Sequence, residues 1–195
     1  MHPVLRRNQF LVKEHIGLLK AANNFDIFDP QTGEEILHCR EDRLGIVTKL
    51  FRFTDWKRMT PFDIELRTPL GEPVVHVRRG VSLWLSSVDV MDQGGQPIGG
   101  FEQHFFSIGG AFTVLGRRRE PLCELQGNWV GWDFRFVVGD RELAQISKSW
   151  SGVGKELFTS ADNYVLRISD WVPADDPVRS LILAAVMCVD MVLKE

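Results

Sequence analysis

Three consecutive arginines, Arg117-Arg118-Arg119, sit between two alternating apolar runs in FTVLGRRREPLCELQG. A tight turn there would gather three guanidiniums, and their planar forks match phosphate oxygens in bidentate fashion. The pairs Arg6-Arg7, Lys57-Arg58 and Arg78-Arg79 offer the same chemistry on a smaller scale. Against an anionic lipid surface each such cation contributes up to about 1 kcal/mol. The competing reading of Arg117 to Arg119 is a solvated turn. A second constellation lies in SADNYVLRISDW, where Asp162 and Asn163, with Asp170 nearby, supply oxygens for a weak cation site. Calcium takes about six or more oxygen ligands, so tight calcium binding is not expected. The alternative is that Ser160, Asp162 and Asn163 cap and turn the chain. Asp190 is a lone carboxylate in an apolar run near the C-terminus. In a bilayer it would mark a pathway; in a folded core it must meet a cation or a backbone donor. The paired role is the expectation.

Signatures of covalent catalysis are missing. SGVGKE lacks the glycine that a phosphate loop needs where Ser149 stands, and has Glu156 after Lys155 in place of Ser or Thr. WSGVG lacks the glycine two residues before Ser151 that a nucleophile elbow requires. The histidines His2, His15, His38, His76 and His104 have neither HxH nor HExxH spacing. Cys39, Cys123 and Cys188 are scattered and odd in number, which suits reduced thiols better than a disulfide framework. A net charge of −3 gives no overall attraction for nucleic acid, and none is expected as a partner. No signal-peptide or lipidation pattern is evident, so a cytoplasmic location is expected, with peripheral contact to a membrane.

The elements that must position these groups are legible as a repeat. FDIFDPQTGEEILHC, FDIELRTPLGEPVVHV, VDVMDQGGQPIGGF, FTVLGRRREPLCELQG and FRFVVGDRELAQIS each read as an alternating run, a polar turn and a second alternating run. Period-2 alternation puts Phe, Ile and Val on one face, and Gly or Asp supplies the turn. Five hairpins give about ten strands, and QFLVKE and NYVLRI add two candidates. So many twisted antiparallel strands curl and close, which predicts one mainly β domain over residues 1–195, a closed barrel of about 12 strands. The tryptophans Trp84, Trp129, Trp132, Trp150 and Trp171 are expected to fill the core rather than form an interfacial belt.

LILAAVMCVDMV, 181–192, is apolar on every side after Pro177 and the acidic pair Asp175-Asp176, which suit a helix start. Only ten residues between Arg179 and Asp190 are free of charge, against roughly 20 for a helical span. A helix with no polar face is buried in a core or in lipid. The closed sheet needs a filler, so Leu181, Ala185, Cys188 and Asp190 are assigned to a central helix that threads the barrel.

QPIGGFEQ, LCELQGNW, AQISKSWSGVGKELFTSADNYVLRI and the final LILAAVMCVDMVLKE, in this order and spacing, resemble the phospholipid scramblase family and its LURP-one-related cousins. The resemblance implies the tubby C-terminal-like fold, a closed antiparallel barrel around a hydrophobic helix. It also implies movement of phospholipids between leaflets, often with calcium, or binding of lipids and partners, at the cytoplasmic face of the plasma membrane. The segment that the family is proposed to use for calcium begins Asp-x-Asp-Asn and is acidic at its twelfth position; here Ser160 and Trp171 stand at those two ends. VRRGVSLWLSSV carries no cysteine where the family has a palmitoylated cluster. Two functions follow as expectations: a lipid-binding, scramblase-related barrel touching headgroups through Arg117, Arg118, Arg119, Arg78 and Arg79, or a binding barrel without transport.

Overall fold

The computed structural model describes residues 1–14, 24–40, 61–80, 87–103, 112–128, 133–148 and 163–193, with side chains except at 14, 103, 128 and 189–193. Among the described residues twelve strands run in chain order: β1 Gln9–Glu14, β2 Phe25–Phe28, β3 Glu35–Arg40, β4 Phe62–Arg67, β5 Pro73–Arg79, β6 Ser87–Asp92, β7 Pro97–Gln103, β8 Phe112–Gly116, β9 Pro121–Asn128, β10 Asp133–Val138, β11 Arg141–Ser147 and β12 Asn163–Ile168. Each pairs antiparallel with its sequence neighbours, and β1 pairs with β12 from Gln9–Arg167 to Lys13–Asn163, so the meander closes into a barrel. All five hairpins anticipated by the repeat, and the two flanking strands, are present.

Alternation along the strands decides which side chains enter. On β4, Phe62, Ile64 and Leu66 are buried; on β6, Val88 and Val90; on β10, Phe134 and Phe136. The helix α1, Val178–Leu193, begins as expected after Pro177, with the Val178 N–H donating to Asp176 Oδ1 at 2.9 Å. From Leu181 to Cys188 every helical side chain is buried. The helix touches β5, β6, β7, β8 and β12 around the ring, so it lies inside the barrel. Sixteen residues at 1.5 Å each give about 24 Å, less than a bilayer's hydrocarbon core. Among the described residues no helix is long and apolar enough to cross a membrane.

The helix comes close to β7 at Gly99, where the strand has no side chain in its way. A Cβ on Gly99 would overlap the Leu115 carbonyl oxygen and lie 3.1 Å from both Leu181 methyls. Gly100, on the opposite face, would overlap the Val88 carbonyl. The two glycines of QPIGGFEQ therefore permit close approach on both sides of one strand.

Strand direction sends all five hairpin turns to one end of the barrel. The start of α1 and the short 3₁₀ turn Pro3–Arg6 lie at the same end. This rim is where the candidate site lies.

Candidate basic tip on the hairpin rim

Three consecutive tips on the rim close in the same way. In the β4–β5 tip, Thr68 N–H donates to Glu72 O and Gly71 N–H to Thr68 O; in the β6–β7 tip, Asp92 N–H donates to Gln96 O and Gly95 N–H to Asp92 O. In the β8–β9 tip, Gly116 N–H donates to Glu120 O at 2.8 Å and Arg119 N–H to Gly116 O at 3.0 Å. The fourth residue of each loop takes a left-handed conformation, with φ of 85° at Gly71, 73° at Gly95 and 64° at Arg119. Glycine accepts this conformation freely, whereas a residue with a Cβ is disfavoured by about 1 kcal/mol or more. Arg119 is the one residue other than glycine with a positive φ among the described residues.

Local chemistry supports the tip. Glu120 folds back so that its Oε2 accepts the Arg118 N–H at 2.8 Å. The fold-back needs Gly116, where a Cβ would run into the Glu120 carboxylate. Arg119 lies back over Gly100 and places Nη1 3.7 Å from Asp89 Oδ1 on β6. Arg117 and Arg118 are exposed and have no ion pair among the described residues. Two guanidiniums thus project from a tip that a third one braces.

The remaining arginines expected at headgroups do not join this tip. Arg78 is exposed on the outer wall, and its strand register sets it between Asp63 on β4 and Asp89 on β6. Asp89 thus has Arg78 as its register partner on β5 and Arg119 Nη1 3.7 Å from its Oδ1. Arg79 is a correction: it is 3% exposed, inside the barrel, with its guanidinium 4.8 Å from the Phe62 ring centroid. The reason is the pleat, which puts Arg79 on the inward face shared by Val75 and Val77. Arg6 is exposed, and Arg7 pairs with Asp29. Lys57-Arg58 lies outside the described residues.

The cation candidates are also dispersed. Asn163 is buried where β12 begins, and Asp170 follows its other end, so a strand's length of roughly 20 Å separates them. Asp170 Oδ1 accepts from the Asn8 amide at 2.7 Å, beside a polar cavity of about 320 Å³ that Arg7 and Asp29 also line. Asp162 lies outside the described residues. Among the described residues no three His, Cys, Asp or Glu side chains gather as metal ligands. Asp190 is on α1 with its side chain outside the description.

Of the tryptophans expected in the core, Trp171 is described and is not there. It is 48% exposed, donates Nε1–H to Glu142 O at 3.0 Å, and has the Arg141 guanidinium 5.6 Å from its ring. It falls in the β12–α1 connection on the rim, where no inward pleat position exists for it. The others lie outside the described residues.

Sequence reasoning missed Arg179, the second residue of α1. It is 1% exposed, and its guanidinium donates to Leu5 O at 2.8 Å, Val172 O at 3.1 Å, Arg7 O at 2.6 Å and Asn8 Oδ1 at 2.6 Å. Burial lowers its pKa, and the nearby Asp176 carboxylate opposes that shift. A charge at the head of an apolar helix was the available signal. Its partners, brought together from both ends of the chain, had no local mark.

A closed twelve-stranded antiparallel barrel filled by its own C-terminal helix is a tubby-like barrel. The Scramblase family profile matches residues 2–195, and the chain belongs to that family. It is 24% identical to phospholipid scramblase 2 of Homo sapiens over 207 residues, which cover 98% of this chain and 67% of that one. It is 23% identical to human phospholipid scramblase 1, over 96% of this chain and 63% of that one. An X-ray structure of an Arabidopsis thaliana protein superposes with a TM-score of 0.55 at 16% identity, covering 97% of this chain and 94% of that one, a likeness of fold.

Proposed function

We propose that this Scramblase-family barrel binds anionic phospholipid headgroups through Arg117 and Arg118, with Arg119 bracing the tip, and mediates energy-independent movement of phospholipids between leaflets. The observation that carries the headgroup reading is the β8–β9 tip itself. A residue other than glycine is held at a left-handed position, and the two arginines before it project without ion pairs among the described residues. Phosphate oxygens are the natural acceptors for two adjacent guanidiniums. At an anionic surface each would contribute up to about 1 kcal/mol. The site of action would be the cytoplasmic face of the plasma membrane, with peripheral attachment. Family membership supports the transport part of the reading.

A second reading, binding without transport, is favoured by the helix, whose described side chains from Leu181 to Cys188 are all buried inside the barrel. The two readings separate in vesicles that contain a fluorescent lipid and are treated with dithionite. Protein-dependent loss of inner-leaflet fluorescence from sealed vesicles, with and without calcium, would support transport. Binding with no such loss would leave the binding barrel. For the tip, charge reversal of Arg117, Arg118 and Arg119 is expected to abolish sedimentation with anionic vesicles; unchanged sedimentation would rule the tip out.

A further inference from the structure

The rim is chemically divided. On the β4–β5 tip, Pro69 and Leu70 are exposed, and Leu70 at 88% is the most exposed large apolar side chain among the described residues. The next tip presents Gln93, Gly94 and Gly95, and the third presents Arg117 and Arg118. The carboxylates in this half are engaged locally. Glu72 lies 3.3 Å from His2 Nε2, Asp92 Oδ1 accepts from the N–H groups of Gly94 and Gln96, and Glu120 accepts from Arg118. The other half differs. It exposes Asp140, Asp170 and Asp175 together with Arg6 and Arg141, and its exposed apolar side chains are the half-exposed Val138 and Trp171, the latter hydrogen-bonded to Glu142 O with the Arg141 guanidinium over its ring.

A lone exposed leucine carries no information by itself. What gives Leu70 a meaning is its place: it shares a half-rim with Arg117 and Arg118, about four strand spacings or roughly 19 Å away, where the exposed acids Glu72 and Glu120 are each engaged by a local partner. Apolar tips combined with cations are the composition that binds a lipid surface in two modes at once, by insertion and by charge.

We propose that the half-rim from the β4–β5 tip to the β8–β9 tip is the face that rests on an anionic bilayer. Leu70 inserts below the phosphates, Arg117 and Arg118 lie at phosphate level, and the barrel tilts so that Asp140 and Asp170 face away. This rests on the headgroup reading and adds to it an orientation and an apolar anchor. The buried native thiols allow a direct test, because Cys39, Cys123 and Cys188 are all inside. Leu70→Cys and Asp140→Cys are each labelled with an environment-sensitive fluorophore and mixed with vesicles of phosphatidylcholine and phosphatidylserine. The label at 70 is expected to brighten severalfold and to be quenched by lipid-borne quenchers, with the label at 140 unchanged. Leu70→Ser, checked for an unaltered thermal melt, is expected to weaken sedimentation about tenfold, the scale of one buried leucine. If the protein sediments but the label at 70 stays dim and Leu70→Ser binds as well as the parent, the anchor is wrong and the headgroup reading stands. Equal brightening at 140 overturns the tilt. If no form sediments, both readings fall.

Discussion

Arg179 and Arg118 are the same side chain in opposite surroundings. Arg179 is enclosed at the start of the helix and donates to four oxygens drawn from the N-terminal segment and the β12–α1 connection. Arg118, on the same end of the barrel, projects into solvent from a tip whose backbone is bent into an unfavourable conformation at the next residue. The first arrangement is what stability requires of a buried charge, since each donor has an acceptor. The second adds nothing visible to stability, and a glycine at 119 would relieve the backbone. A costly tip that the fold does not need is where function is expected to reside.

Substitutions can break this contrast, beginning inside. Ala185→Asp would set an unpaired carboxylate among Leu181, Cys188 and the barrel wall, and is expected to cost about 4 kcal/mol or more, enough to prevent folding. A normal thermal melt would contradict the buried helix. Arg179→Ala leaves three carbonyls and the Asn8 amide oxygen without their donor; a loss of about 3–5 kcal/mol is expected in denaturant titration. Arg179→Lys should recover part of it.

Alkali gives a milder test of the interior. Burial raises the Cys123 and Cys188 thiols from 9.0 to about 12, with Glu124 adding to the shift at Cys123 and Arg79 opposing it at Cys188. The unfolded chain then loses these protons first, so stability is fully present below pH 9 and falls as pH rises toward about 12. Melting temperatures across that window should decline, and the native protein should resist alkylation at pH 8 until denatured.

On the rim the sign reverses. Arg119→Gly is expected to stabilise the barrel by about 1 kcal/mol, by removing the Cβ from a left-handed position. Gly95→Ala, in the neighbouring tip, should destabilise by a similar amount. Smallest of all, Arg117→Gln with Arg118→Gln should change stability by less than about 0.5 kcal/mol, while vesicle sedimentation drops sharply. If these two substitutions lowered the melt as much as Arg179→Ala, the contrast between the two arginines would be false.

Much of the barrel was legible. The five hairpins and the runs QFLVKE and NYVLRI match the strands because alternation and turn residues are local signals, and a sheet face reads directly from a period of two. The helix was legible from its unbroken apolarity and from Pro177. The arginine tip was legible as a cluster, since adjacent residues on a tight turn stay together whatever surrounds them. Arg78-Arg79 was misleading for the converse reason: neighbours on a strand point to opposite faces, so one is on the outer wall and the other inside. Trp171 was assigned to the core on residue type, although it falls in a connection where no pleat directs it inward. Leu70, Asp89 and the oxygens around Arg179 had no sequence signal, because their roles depend on residues far away in the chain.

Composition, periodicity and turn chemistry by themselves determined a mainly β chain of hairpins ending in a helix that must be buried, because these follow from interactions within a few residues. Closure of β1 on β12, the passage of the helix past Gly99, the enclosure of Arg179 and the placing of Leu70 on the same rim as the arginine tip were decided only in three dimensions. Each depends on contacts between segments separated by tens to more than a hundred residues. Such contacts are selected by the joint packing of the whole barrel, so no local stretch carries them.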